Sequence, residues 1–303
     1  MKNLQYIFAI IAFLFLASCQ KSIDLKLNND FTKSKLVLNS LLETDSIISV
    51  HISSSASSFG SLSPTSITDA TVDLYENGVF KEKLIHQQDG FYLSASMQKP
   101  SINSIYEVKV SKDNFDEISA STNFPKPPTI NNIVWDSTDN SISFTLSDNL
   151  GSNYYQLKLT IMDTVSKSYL QVGLQTKEKV LVSSDNQNNF DDAGMQQLPN
   201  TITDELFDGK TSTYKIYYQI FGHNQLGGPN GGGNGNQQID YTHLRLTFSA
   251  SIISKELFNY LKSRQESLDN SGNPFSEPVL VTSNVKNGYG VLGGKSNVTF
   301  KVK

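Results

Sequence analysis

From about residue 35 onward, apolar side chains recur at every second position. Leu36-Val37-Leu38, Ile47-Ile48-Ser49-Val50-His51-Ile52 and Thr71-Val72-Asp73-Leu74-Tyr75 set the pattern, and a period of two is that of a strand with one face buried. Asn77-Gly78 comes next, and 79–84 resumes the alternation. An Asn-Gly pair between such runs predicts a hairpin, because both turn positions need positive φ. Asp89-Gly90 before Phe91-Tyr92-Leu93 repeats the device, and 106–110 and 118–122 complete a set of short strands. Turn signals at roughly ten-residue spacing predict a β-sandwich.

Three prolines, Pro125, Pro127 and Pro128, interrupt this pattern. Proline cannot donate to a strand ladder and stiffens the chain, which places a domain boundary between 35–125 and 126–303. The stretches TDATVDLYENG, DGFYL and IYEVKV of the first domain resemble the transthyretin or carboxypeptidase-regulatory type of immunoglobulin-like domain. Beyond the prolines, Asn132-Ile133-Val134-Trp135, 141–146 and 154–161 resemble the opening strands of a fibronectin-type sandwich, with Trp135 expected as a core plug. Residues 213–220 and 242–250 read as a hairpin whose connection is lengthened by the Gly/Asn-rich stretch 227–236. One segment has helical period. Ser254 can cap a helix at about 254–268, with Leu257, Phe258, Leu261 and Leu268 on one face and Asn270-Ser271-Gly272 ending it. The expected fold class is therefore all-β, two sandwiches with one amphipathic helix in the C-terminal region lying over a sheet edge.

The N-terminus has a different character. Lys2 precedes an apolar run over 7–17 that ends in small residues, the layout of a secretory signal peptide. The run is shorter than the roughly 20 residues of a spanning helix. Leu16-Ala17-Ser18-Cys19 at its end resembles the bacterial lipobox, which implies cleavage between Ser18 and Cys19 and acylation of Cys19. Residues 1–18 are then a signal peptide, and 19–34 a lipidated cysteine with a polar tether. Two or more acyl chains hold a protein stably at a membrane. Cys19 is the single cysteine, so acylation leaves no thiol for catalysis, disulfides or metal.

Composition narrows the chemistry. Hydrophobic content of 38% against 18% charged describes a globular chain. A net charge of -4 with no basic stripe excludes nucleic acid as a partner. Gly209-Lys210-Thr211 matches the end of a phosphate-binding loop, but Asp204 stands where the motif needs its first glycine. His51, His86, His223 and His243 are scattered without metal-ligand spacing. Two acidic clusters, Asp191-Asp192 and Asp204-Glu205 with Asp208, read first as loop acids. A calcium site from Asp185, Asp191 and Asp192 stays open as an alternative. No serine lies in a nucleophile-elbow motif. The reading is of a non-enzyme with no cofactor and no assigned metal or catalytic residue.

The C-terminal stretch carries a further resemblance. Asn273-Pro274-Phe275-Ser276-Glu277-Pro278, followed by Ser283-Asn284-Val285-Lys286-Asn287-Gly288-Tyr289-Gly290-Val291-Leu292-Gly293, resembles the closing signature of a family of Bacteroidota lipoproteins defined by a domain of unknown function. Leu292 stands where that family usually has Phe. The resemblance extends to the Cys19 tether, the strand at 68–74, the proline boundary, 204–209 and the helix. It implies an outer-membrane lipoprotein encoded beside TonB-dependent receptors. The expected partners are thus the membrane, through the lipid, and such a receptor, with ligand and membrane face open. Asn284, Asn287, Gly288 and Gly290 are the docking positions to weigh, against a plain backbone role for the glycines. An independent surface binding or adhesion module is the alternative, with loops 183–200 and 227–236 as contact segments.

Overall fold

A computed structural model describes residues 34–56, 64–182, 191, 193–221, 239–271, 277 and 279–303. Apart from Ala56 these belong to one contact unit. The first strands are β1 (Leu36–Glu43), β2 (Ser49–Ser54), β3 (Thr71–Glu76), β4 (Val79–Lys83), β5 (Ile85–Gln88), β6 (Phe91–Leu93), β7 (Ile105–Ser111) and β8 (Ile118–Asn123). After the prolines come β9 (Thr129–Asp136), β10 (Ser141–Ser147), β11 (Tyr154–Asp163), β12 (Ser168–Thr176), β13 (Gln196–Gln197), β14 (Ile202–Thr203), β15 (Thr211–Phe221) and β16 (Leu244–Ile253). Helix α1 (Lys255–Asn270), β17 (Val285–Lys286) and β18 (Tyr289–Lys301) close the chain. The fold is all-β with one long helix, as the alternation predicts.

Two cores organise the strands. In the first, sheet β5-β6-β2-β1-β18 faces sheet β17-β8-β7-β3-β4 across Leu36, Leu38, Ile52, Leu74, Tyr92, Tyr106 and Val108. β2 and β3 both alternate buried with half-buried positions, so each strand gives the core every second side chain. Asn77 and Gly78 take φ of 52° and 79° between β3 and β4, and Asp89 and Gly90 take 49° and 78° between β5 and β6. Both predicted turns are thereby present, with the left-handed pair that a two-residue hairpin requires.

In the second core, β9-β10-β15-β12 faces β11-β16 and the end of β18. This is the strand arrangement of a seven-stranded immunoglobulin sandwich, four strands against three. Phe144 of β10 meets Phe248 of β16 across it at 5.1 Å. β12 leaves one layer for the other, pairing β11 through 168–170 and β15 through 171–176, which joins the two layers into one hydrogen-bonded path. Trp135 lies partly buried against this core and donates to the Tyr218 hydroxyl at 2.8 Å.

One expectation is overturned. β15 and β16 are not a hairpin: β15 pairs with β10 and β12, and β16 with β11 and β18. Both strands alternate in the same way, and alternation reports which face is buried but not which neighbour pairs. The long connection between them allows a crossing from one layer to the other, where a short loop would have forced pairing.

The C-terminal strand β18 ties the two cores together. Its residues 289–295 run parallel to β1, and 295–301 run antiparallel to β16. β17 joins β8 in the opposite sheet of the first sandwich, and Val285 and Leu292 of this segment, far beyond the prolines, belong to the first core. Helix α1 begins where β16 ends. Ser254 caps it by accepting from Leu257 N at 3.3 Å, and the same oxygen accepts from Gly294 N at 3.1 Å and Thr122 Oγ1 at 2.9 Å. Leu257 is buried and Phe258 stacks on Tyr154 at 4.3 Å, whereas Leu268 stands 52% exposed. The apolar stripe therefore docks the first two turns and leaves the last one in solvent.

Candidate functional site

The conspicuous C-terminal motif is built into the fold. β16 pairs with β18 only from Lys295 onward, so the side of β18 opposite β1 needs other partners at Leu292. Asn284 supplies them. Its Nδ2 donates to Leu292 O and to Ser121 O, both at 2.9 Å, and its Oδ1 accepts from Leu292 N at 3.0 Å. The carboxamide thus acts as a substitute peptide group, satisfying backbone that would otherwise be unpaired. Asn287, with φ of 59°, turns the chain and donates to Glu117 O at 3.2 Å. A Cβ on Gly288 would lie 2.6 Å from Leu36 O. Gly290 has φ of +107°, and a Cβ there would lie 2.0 Å from Leu38 O. Asn284, Asn287, Gly288 and Gly290 therefore all make internal contacts that lock the C-terminal segment β17–β18 against the first sandwich.

The second group is acidic. Asp148 at the end of β10, and Asp204 and Asp208 before β15, bring carboxylate oxygens within 4.8 Å of one another. Asp148 and Asp204 are buried and Asp208 is exposed. Asp148 accepts from the Tyr155 hydroxyl and from Gly209 N, the latter at 2.7 Å. Asp208 accepts from Gly151 N at 2.8 Å, and Asp204 from Asn153 N at 2.7 Å. Burial, with the charge of Asp148 beside it, pushes the Asp204 carboxyl above its ordinary range despite the Asn153 hydrogen bonds. Three carboxylates form a donor set suited to a hard cation. These also bond to backbone amides of both loops, which pins 148–153 to 204–210. Replacing Asp148 by Ala should leave Tyr155 OH and Gly209 N without an acceptor and lower stability by about 2–3 kcal/mol, read as the urea midpoint. Asp208→Ala, at an exposed position, should cost less than about 1 kcal/mol.

Glu205 and Asp208 follow Asp204 closely in sequence, but Asp148 and Asn153, which act on its carboxyl, are more than fifty residues away, and no local pattern announces them. Gly209-Lys210-Thr211 opens β15 rather than a helix, so the helix that receives phosphate in the motif is not there. Asp191 caps its own turn, accepting from Ala193 N at 3.0 Å and Met195 N at 2.8 Å. His51 contacts Asp89 O and the Phe91 ring, and His86 the Tyr92 ring. Ser18, Cys19, Asp185, Asp192, His223, 183–190 and 227–236 lie outside the described residues.

The third feature is a groove of about 450 Å³ where the two sandwiches meet. One wall comes from the first sandwich and the proline segment (Asn103, Asn123, Lys126), the other from the loop before β11 (Asn149, Ser152, Tyr154), and the floor from the β16–α1 junction at Ile252 and Ile253. Behind Asn153 on this rim stands the aspartate cluster.

No curated relative matches the chain. A family profile covers residues 20–301, spanning both sandwiches, the aspartate cluster, the groove and the C-terminal segment β17–β18. On that match the chain belongs to the DUF4249 family, a domain of unknown function.

Proposed function

We propose that this protein is a lipoprotein of the bacterial cell envelope, held in the outer membrane through acylated Cys19, that serves as a non-catalytic, ligand-binding accessory of a TonB-dependent receptor. The observation that carries the proposal is Leu16-Ala17-Ser18-Cys19 at the end of the apolar run. The family match begins at residue 20, directly after that cysteine. Among the described residues no helix is long and apolar enough to cross a membrane. The receptor is proposed on the resemblance of 273–278 and 283–293 to a family of Bacteroidota lipoproteins encoded beside such receptors.

Replacing Cys19 by Ser should abolish incorporation of labelled palmitate and move the folded chain from the membrane to the soluble fraction. A Cys19→Ser protein that stays membrane-bound and uncleaved would make the N-terminal apolar run the anchor instead. For the receptor, a tagged copy solubilised in mild detergent should co-purify with a TonB-dependent outer-membrane protein. Recovery without any such protein favours an independent surface binding module.

A further inference from the structure

We propose that the groove between the two sandwiches is a binding site for a neutral saccharide of a few sugar units. The proposal rests on the ligand-binding part of the function above, but not on the anchor or the receptor.

The groove's volume of about 450 Å³ falls within the roughly 300–1,000 Å³ of small-molecule clefts. Asn103, Asn123 and Asn149 reach its rim from three separate segments, and among the described residues their carboxamides have no hydrogen-bond partner. Asn284, by contrast, uses donor and acceptor together inside the fold. A carboxamide offers two donors and one acceptor, the complement of sugar hydroxyls, each of which both donates and accepts. The apolar half of such a site comes from Tyr154 and Pro125, both half-buried in the lining, which offer a surface for the C–H face of a sugar ring, while Ile252 and Ile253 are buried beneath it.

Charge selects against other ligands. Lys126 and Lys255 line the groove, but so does Glu256. The charges of Asp204 and Glu256 bear on Tyr154, whose hydroxyl is held above its ordinary range by burial first and by those carboxylates next. A mixed field of this kind gives no net pull on an anion. An extended peptide would look for an open strand edge, whereas this groove is lined by loops, strand ends and the start of α1.

The site is rigid where a ligand needs it to be. Ser254 at the floor binds β18 and β8 at once, and Asn153 on the rim is held by Asp204. Preorganised partners reduce the entropy lost on binding.

The test uses the full chain purified in detergent, titrated by isothermal calorimetry with maltotriose, cellotriose and chitotriose. Saturable binding to at least one of them is expected. The double variant Asn123→Ala/Asn149→Ala should weaken it about tenfold or more, while Asn131→Ala on β9, outside the groove lining, leaves it unchanged. Circular dichroism melting establishes that each variant is folded, and Asn149→Ala alone serves if the double variant is not. Absence of saturable binding to all three sugars, or equal affinity in the variants, overturns the proposal without touching the reading of Cys19.

Discussion

A Gly290→Ala protein is expected to lose its first sandwich. The backbone at Gly290 sits at φ of +107°, and an added Cβ would stand 2.0 Å from Leu38 O and 2.8 Å from the Leu38 carbonyl carbon. Both obstacles are backbone, so no rotamer change relieves them. They lie in the parallel ladder of β1 and β18, where Gly290 is the direct partner of Leu38. Relief means moving β18 away from β1, which opens the core at Leu36, Leu38 and Leu292. Strained backbone and overpacking together cost roughly 4 kcal/mol or more, a large share of the about 5–15 kcal/mol that holds a domain folded. Gly78→Ala is the control. It also has positive φ, but nothing lies within 4 Å of its Cβ, so its cost should stay near 1 kcal/mol. Thermal melting followed by circular dichroism reads both. Equal melting temperatures for the two variants would refute the account of β18 as a tightly fitted strand.

The second large effect concerns Glu76 and acid. Glu76 is buried at the end of β3, where it accepts from Tyr106 OH at 2.9 Å, from Gln98 Nε2 at 3.2 Å and from Lys81 at 3.0 Å. Burial alone would raise its pKa, but the hydrogen bonds from Lys81, Ser104 and Tyr106 prevail and bring it down to about 2 from an ordinary 4.5. A depressed carboxylate stabilises the fold fully above its unfolded pKa, and that contribution disappears as pH falls from about 4.5 toward 2. Its size is about 3 kcal/mol. Glu76→Gln should therefore be less stable than the parent at neutral pH, and the gap should close between pH 5 and about 2. Urea denaturation across that range measures it. A gap that stays constant with pH would show that the charge of Glu76 contributes nothing. Asp204 has the opposite sign. Its carboxyl is held above its ordinary range, so it weakens the fold as pH rises through the window above 3.8.

These two residues divide what can be read along the chain from what cannot. Glu76 belongs to a hairpin that alternation and Asn77-Gly78 announce, and the strands of the first sandwich through β8 follow from the same local rules. β12 and β18 do not. β12 mixes exposed and half-buried positions over most of its length because it changes layers midway. β18 carries Gly290, Gly293 and Gly294, which suppress the signal of a strand. Those glycines are there for close approach: a Cβ on Gly293 would lie 2.8 Å from Leu257 Cβ, where α1 crosses the strand. The aspartate cluster was legible in part. Asp204 and Asp208 are near neighbours in sequence, whereas Asp148 joins them through the ends of β10 and β15, which lie together in one sheet.

By itself the sequence determined the all-β class, the two hairpin turns and the capped helix. Each depends on interactions among residues a few positions apart, where periodicity and turn chemistry act directly. The tertiary structure decided which strands pair, that β18 serves both cores, that Asn284 replaces a peptide group, and that Asn103, Asn123 and Asn149 share one rim. Those arrangements join residues dozens to hundreds of positions apart. They are selected by the burial of whole faces and by the need to satisfy every buried backbone group, conditions that no local window contains.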